Sequence, residues 1–217
     1  EINPVGRRVQ IRYDYQFNKF DPSGSETLDQ SSGLLLPKYE QVNFNRLEGS
    51  WREQQPLPGW SHVLTAELHG GAILGPTVDQ FFNFYIGGFG GMKGYPFYSL
   101  GGNRYAYASL IYRFPVLEHI DKRIMQIYID KLYASFYGDA GNTWEATYSD
   151  DPKYKRDAGV ELRLDAYSYY SFPTRIFFDA TYGFDSFNEF VTTTGASVTY
   201  GKEWNFHLGV LFGFDLD

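Results

Sequence analysis

The feature that most constrains this chain is an alternation of apolar with polar or small residues, which recurs in several long segments. In "NFHLGVLFGFDL" (205–216), every second residue is apolar, and the positions between them carry Asn, His, Gly and Asp, with Leu211 as the one large exception. The same pattern runs through 9–18, 158–167 and 175–184. Because successive side chains of a strand point to opposite faces, each segment predicts a β-strand with one apolar face.

Eight segments are predicted to be strands: roughly 6–19, 39–54, 60–74, 103–115, 128–141, 156–170, 174–185 and 204–216. Several keep the alternation for about ten residues, the length that a tilted membrane strand needs, whereas soluble strands usually run about 5–6 residues. The predicted fold is therefore all-β, an antiparallel transmembrane β-barrel with about eight strands in this chain. In the second segment the alternation changes phase near Asn45–Leu47, which indicates either a β-bulge or a misplaced strand boundary.

The composition agrees with a membrane barrel and leaves one soluble alternative open. The 19 Tyr and 19 Phe favour aromatic girdles at the two membrane interfaces. The mean hydropathy of -0.39 is compatible with strands in which only every second residue faces lipid. A soluble β-sandwich that acts as a binding module has a similar composition, and extraction into buffer without detergent would favour it. The net charge of -7 and the lack of basic stripes argue against a nucleic-acid partner.

The predicted connections alternate in length. Short ones contain "PLPG" (56–59) and "FPT" (172–174), and long polar ones cover 21–38, 143–155 and 185–203. Short turns at one end and long loops at the other are typical of outer-membrane barrels. The connection at 116–127 falls on the short side but is longer, and we expect a helical turn in it.

The longest connection, 75–102, contains all but the last residue of "FYIGGFGGMKGYPFYSLGGN" (84–103), a segment with seven glycines and six aromatic residues. Glycines allow close approach of the backbone to other groups, and so many apolar side chains are poorly placed in water. The segment therefore predicts a plug-like loop that folds onto the protein. We expect a single, partial barrel domain over 1–217 that includes this loop. The chain begins at Glu1 without a methionine or an export signal, so we expect a mature product or a piece of a longer chain.

Three ordered motifs resemble the BamA/TamA superfamily of outer-membrane barrels, which includes the two-partner-secretion transporters. The first is the loop motif "MKGY" with a following glycine pair, and the second is "YGDAG" in the next strand but one. The third is the final strand, which is similar to the C-terminal β-signal of outer-membrane proteins. The matching residues are Met92, Lys93, Gly94, Tyr95, Gly101 and Gly102 in the loop, Tyr137, Asp139 and Gly141 in the wall, and His207, Gly209, Phe212 and Phe214 in the last strand.

The resemblance implies a function and a location. Such proteins lie in the outer membrane of Gram-negative bacteria or of organelles of that descent, and they insert other β-barrels or translocate polypeptides. The implied partners are outer-membrane lipids, client β-barrels or secreted polypeptides, and accessory assembly subunits or the rest of the barrel. The resemblance implies no bond chemistry, so we expect no enzyme activity and no cofactor. A passive porin or structural barrel with a constriction loop is the alternative.

The resemblance also implies that the chain is the C-terminal half of a barrel of about sixteen strands. A barrel of about eight strands is filled by its own side chains and has no room for the loop. In the family the last strand forms an openable seam with the first, and the glycines Gly209 and Gly213 are expected to weaken pairing there.

Two positions depart from the family pattern. Lys93 stands where the family usually has Arg, and Ile111 stands where it often has a luminal Glu. Asp139 remains on the expected inner face, so we predict a contact between Lys93 and Asp139 that fixes the loop to the wall.

No other motif indicates chemistry. The four histidines, His62, His69, His119 and His207, lack the spacing of metal ligands, and the chain has no cysteine. No GxSxG motif occurs, although Ser109 or Ser135 with a histidine leaves a membrane-barrel hydrolase as a minor alternative. We therefore predict no metal site and no catalytic residues.

Overall fold

The computed structural model describes residues 6–21, 24–75, 78–145, 153–169, 172–191 and 196–212. Eight long strands form the molecule: β1 (Gly6–Phe20), β2 (Glu40–Pro56), β3 (Val63–Leu74), β4 (Arg104–Leu117), β5 (Ile127–Trp144), β6 (Lys155–Ser168), β7 (Phe172–Gly183) and β8 (Trp204–Phe212). All eight strands predicted from the alternation are confirmed, with ends that differ by a few residues. None of the helical turns in the described ranges has the length and hydropathy of a membrane-spanning helix.

The eight strands form one antiparallel sheet in chain order, and each strand pairs with the next along the sequence. Within the described residues, β1 pairs only with β2, and β8 pairs only with β7. The sheet is therefore open, with β1 at one edge and β8 at the other.

The phase change near Asn45 has a cause other than a bulge. The pairing of β2 with β1 and with β3 runs without a register shift through this region. Phe44 points inward and packs with Ile73 of β3 and Phe84 of the long loop. The alternation breaks because an apolar side chain is needed on the inner face there, under the loop. Register shifts lie instead in β5, near 129–133.

The connections confirm the predicted asymmetry. The strand ends that border the short connections, 57–62, 118–126 and 169–171, lie at one end of the sheet, and those that border the longer ones, 21–39, 75–103, 145–154 and 184–203, lie at the other. Within two of the long connections, short strands form hairpins: Glu26–Leu28 pairs with Leu35–Pro37, and Phe187–Val191 pairs with Ala196–Tyr200. The helical turn expected in 116–127 is wrong, because Lys122–Ile124 is a strand that pairs with the start of β5.

The two faces of the sheet differ in chemistry. The outer face is apolar and exposed, as at Ile11 in β1 and Leu208 in β8, which are 79% and 77% exposed. The inner face carries the polar and charged residues, among them Glu67, Arg163 and Asp179. An apolar exterior around a polar interior is the reverse of a soluble sandwich and is the pattern of strands that face lipid.

Candidate functional site: the docked loop on the inner face

The long connection between β3 and β4 folds back onto the inner face, and we call its residues 78–103 the docked loop. Two apolar clusters hold it. One consists of Ile86, Met92, Tyr95 and Leu100 from the loop itself, and the other joins Phe84 of the loop to Phe44 and Ile73 of the wall. Met92 and Tyr95 are buried. The long loop thus folds onto the inner face, and Phe84 and Tyr95 are the buried aromatic residues of its clusters, whereas Phe81, Phe97 and Tyr98 are exposed.

The glycine pair at 101–102 closes the base of the docked loop. Gly101 and Gly102 pair with Tyr85 and Phe84 as a two-residue antiparallel ladder. A Cβ at Gly101 would lie 2.6 Å from the ring of Tyr85, and one at Gly102 would lie 2.8 Å from the backbone nitrogen of Trp144. Larger residues do not fit at either position.

Gly94 is the point of closest approach between the docked loop and the sheet. Its N–H donates to Oδ2 of Asp157 at 2.7 Å, and its carbonyl accepts a hydrogen bond from Nδ2 of Asn205 at 3.0 Å. A Cβ at this position would lie 2.6 Å from the Cβ of Asp157. Only glycine brings the backbone this close, which explains the residue type that the motif requires.

Lys93 carries the charge of the motif and extends over β6 and β7. Its Nζ donates to Oδ2 of Asp179 at 2.9 Å and to Oε2 of Glu161 at 3.3 Å. The ammonium lies 4.4 Å from the centroid of the Tyr137 ring, within range of a cation–π interaction. Arg163 also pairs with Glu161, at 2.7 Å. Lys93 is therefore held by two carboxylates and one aromatic ring.

The predicted contact between Lys93 and Asp139 is wrong. Asp139 lies in β5, where its cross-strand partners are Ser109 in β4 and Asp157 in β6. The ring of Tyr137 lies under the ammonium, and the position of Gly94 over Asp157 directs the lysine toward β6 and β7 instead. Glu161, rather than the Ile111 position, supplies the luminal glutamate.

Asp179 is the central acceptor of the site and is fully buried. Besides Lys93, it accepts hydrogen bonds from the hydroxyl of Tyr137, at 2.7 and 2.8 Å to its two oxygens, and from Thr181 at 2.6 Å. Tyr137 and Thr181 are also in hydrogen-bond contact with each other. Sequence reasoning missed Asp179, Glu161 and Asp157. The signal that could have found them is that each is a carboxylate on the polar side of an alternating strand.

The other two residues of the wall motif contact the docked loop or its support. A Cβ at Gly141 would lie 3.1 Å from the sulfur of Met92, so the loop packs directly on the bare backbone there. Tyr137 covers Gly159 of the neighbouring strand, where a Cβ would lie 2.5 Å from the tyrosine oxygen. In the wall motif, Gly141 thus leaves the backbone bare where Met92 packs, and Tyr137 supplies the ring that covers Gly159.

The docked loop also reaches β8, the edge strand. The ring centroid of Phe89 lies 4.9 Å from that of His207 and 5.2 Å from that of Phe177. His207 Nδ1 lies 3.6 Å from Oδ1 of Asp179. Together with the Asn205 hydrogen bond to Gly94, these contacts tie the loop to the inner face of the last strand.

The residues of the predicted β-signal lie on both faces of β8. His207 and Gly209 point inward and Phe212 points outward, whereas Phe214 and Gly213 lie outside the described residues. The expectation that Gly209 weakens pairing at the seam stays a prediction, but Gly209 leaves no gap on the inner face. The ring of Phe177, its cross-strand partner, covers it so closely that a Cβ would lie 2.4 Å away. The recognition role of these residues stays a prediction.

Tyr95 anchors the outer end of the site. Its hydroxyl donates to the carbonyl of Arg156 at 2.9 Å and accepts the N–H of Asp185 at 3.1 Å. Burial raises the pKa of Tyr95, so the hydroxyl stays neutral and able to donate. Hydrogen bonds from Arg156 hold the pKa of Asp185 below its usual value. The loop is thus linked to the connection between β7 and β8.

A polar cavity of about 480 Å³ lies between the docked loop and the inner face. Ion pairs line it, among them Arg52–Glu67 at 3.1 Å and Arg175–Asp165 at 2.8 Å. In the described part of the chain, no three His, Asp or Glu side chains are arranged to hold a metal ion.

An apolar outer face, a polar inner face and an inward-folded loop together define the class: the sheet is consistent with an outer-membrane β-barrel. A family model, the Omp85 superfamily domain, matches residues 8–202. The chain belongs to this superfamily of outer-membrane proteins, which confirms the resemblance to BamA, TamA and the two-partner-secretion transporters. Comparisons with curated proteins and with solved structures return no match.

Proposed function

We propose that this chain is part of an outer-membrane β-barrel that inserts other barrels into the membrane or translocates polypeptides across it, without bond chemistry. Membership of the Omp85 superfamily supports this function in general terms. The observation that carries the proposal is the docked loop, whose Lys93 is bound to Glu161 and Asp179 on the inner face. No residue in this arrangement needs to act as a nucleophile or a base.

The barrel that we propose is larger than this sheet. Both edges of the sheet are unpaired in the described residues, and the docked loop occupies the inner face between them. A closed barrel of about eight strands leaves an interior just wide enough for its own side chains. We therefore propose that these strands are one half of a barrel of about sixteen strands, with 1–217 as a single partial domain.

The proposed mechanism uses β8 as an openable edge. An edge strand presents unpaired N–H and C=O groups, which can pair with a strand of a client. The docked loop holds the inner face of β8 through Asn205 and His207. Release of these contacts frees the strand to move away from its neighbour.

The test is assembly of an unfolded client barrel into lipid vesicles that contain the full-length protein. We expect the folded fraction of the client, measured by its heat-modifiable mobility on gels, to rise faster than in vesicles without protein. The variant Lys93→Ala should lose most of this gain, whereas Gly49→Ala, at a position with open space, should keep it. Equal rates with and without the protein would contradict insertion.

A passive pore is the second candidate, and the cavity lined by charged pairs favours it. Conductance in planar bilayers distinguishes the two. A pore conducts ions steadily without a client, and deletion of the docked loop increases its conductance. Steady conductance combined with no client folding and no polypeptide transport would favour the pore.

A further inference from the structure

Two buried carboxyl groups meet beneath the docked loop. Asp139 in β5 and Asp157 in β6 are cross-strand partners, and they are 6% and 2% exposed. Side chains at such positions lie about 5 Å apart at Cβ, which brings the two carboxyl groups within reach of each other. The Oδ1 atom of each is buried without a hydrogen-bond partner among the described residues. Two ionised carboxylates in this position repel each other and leave both atoms unsatisfied.

Lys93 is a cation that acts on both carboxyl groups through space, so its charge offsets part of the repulsion between them. The ammonium of Lys93 is bound to Asp179 and Glu161. The other groups that face the pair are the hydroxyls of Tyr107 and Ser109 from β4, which approach Asp139. From the loop, Gly94 donates its N–H to Oδ2 of Asp157. These groups are neutral hydrogen-bond donors, so they supply no positive charge to compensate the two carboxyl groups.

We propose that Asp139 and Asp157 bind one proton between their Oδ1 atoms, and that this proton helps to hold the docked loop at Gly94. One O–H···O hydrogen bond satisfies both unpartnered atoms at once and removes the charge repulsion. The remaining oxygen of Asp157 is then free to accept the N–H of Gly94, as observed at 2.7 Å. The proton belongs to the pair rather than to either residue.

The direction in which docking depends on pH follows from the number of protons that the docked and undocked states bind. When the loop leaves, the two carboxyl groups become hydrated and lose the shared proton at neutral pH. The docked state therefore binds one proton more than the undocked state, and docking weakens as the pH rises. His207, which lies 3.6 Å from Asp179, is a further ionisable side chain close to the site, so the test includes a His207 variant.

The test measures protease cleavage within 85–100 in the full-length protein in detergent micelles, between about pH 6 and pH 9. In the wild type, we expect cleavage to increase with pH by up to about tenfold per unit, the limit for one proton. The variants Asp157→Asn and Asp139→Asn place an amide N–H where the shared proton lies, so their cleavage should be independent of pH. Infrared spectra of the wild type at neutral pH should show a carboxylic-acid band that is absent in both variants.

Matched controls give the outcomes that would overturn the proposal. Asp165→Asn changes a luminal carboxylate that is paired with Arg175, and it should keep the wild-type pH profile. His207→Gln should also keep the rise at alkaline pH. A wild-type profile in both Asn variants, a flat wild-type profile or a flat His207→Gln profile overturns the shared proton. Protection that depends on added calcium at constant pH overturns it as well, because the occupant is then a cation. None of these readouts depends on insertion or transport activity.

Discussion

At the scale of single residues, Asp179 organises the site. It is buried in β7, and it accepts hydrogen bonds from the loop through Lys93 and from the wall through Tyr137 and Thr181. A buried carboxylate with this many donors stays stable only while its cation is present. Lys93 is therefore a structural counter-ion as well as a part of the loop motif.

Replacement of Lys93 by Ala should undock the loop. The change leaves Asp179 as an uncompensated buried charge, which costs about 3–5 kcal/mol of unfolding free energy. We expect faster protease cleavage within 85–100 and a lower urea midpoint, whereas Lys93→Arg should retain most of the stability. Lys122→Ala, at an exposed strand residue, serves as the control. Wild-type cleavage and stability in Lys93→Ala would show that the ion pair does not hold the loop.

Replacement of Gly159 by Ala should destabilise the sheet. The new methyl group would lie 2.5 Å from the oxygen of Tyr137, which cannot retreat without leaving Asp179. We expect a loss of about 1–3 kcal/mol, the usual cost of overpacking, in unfolding measured in lipid vesicles. Gly49→Ala is the matched control, because its Cβ would meet nothing within 4 Å. Equal stability of the two variants would contradict the close fit of Tyr137 over Gly159.

The sequence predicted the residues of the site better than their partners. The motif named Lys93 and Gly94 in the loop, and in the structure both residues contact the wall. Asp139 was predicted as the partner of Lys93, whereas Glu161 and Asp179, which also lie on the polar side of alternating strands, were missed. Alternation could not rank them as partners of Lys93, because that choice depends on strand register and on the position of Tyr137 beneath the ammonium. Register is a property of paired strands, and one strand's sequence does not specify it.

At the scale of elements, the docked loop and β8 form one unit. Phe89 packs its ring edge against His207 and Phe177, and Gly94 accepts a hydrogen bond from Asn205. Among the described residues, β8 has hydrogen-bonded backbone neighbours on one side only, in β7. The loop contacts therefore supply part of the support that a second neighbouring strand gives elsewhere in the sheet.

Loss of the Phe89 ring should loosen β8. In Phe89→Ala, we expect faster hydrogen exchange at the backbone amides of 204–212, with little change in β4 and β5. Phe89→Ala combined with Asn205→Ala should show coupling in a double-mutant cycle, because both contacts link the same two elements. The control is Tyr98→Ala: Tyr98 is 74% exposed and packs on other loop aromatics, Tyr85 among them. Equal exchange in the Phe89 and Tyr98 variants would contradict this coupling.

At the scale of the whole molecule, the alternation was enough to predict the strands. The eight predicted segments, the short and long ends and the inward-folded loop all agree with the structure. Two expectations differ from the structure, for different reasons. Phe44 broke the alternation because it packs against the loop, a contact between distant segments that a local pattern does not contain. The connection 116–127 contains a short strand because Lys122–Ile124 pairs with the start of β5 in a tight hairpin, where a helical turn was expected.

The hydrogen bonds of the docked loop have a consequence for the order of folding. The bonds from Lys93 and Gly94 to the wall join residues that are 63 to 111 positions apart in the sequence, and the longest of them reaches Asn205 in the last strand. Contacts at such separations form late, because a long stretch of chain must first be ordered between them. The loop is synthesised before β4, yet it can complete its docking only when β8 is in place. A docked loop that is fully protected from protease therefore indicates that all eight strands have folded.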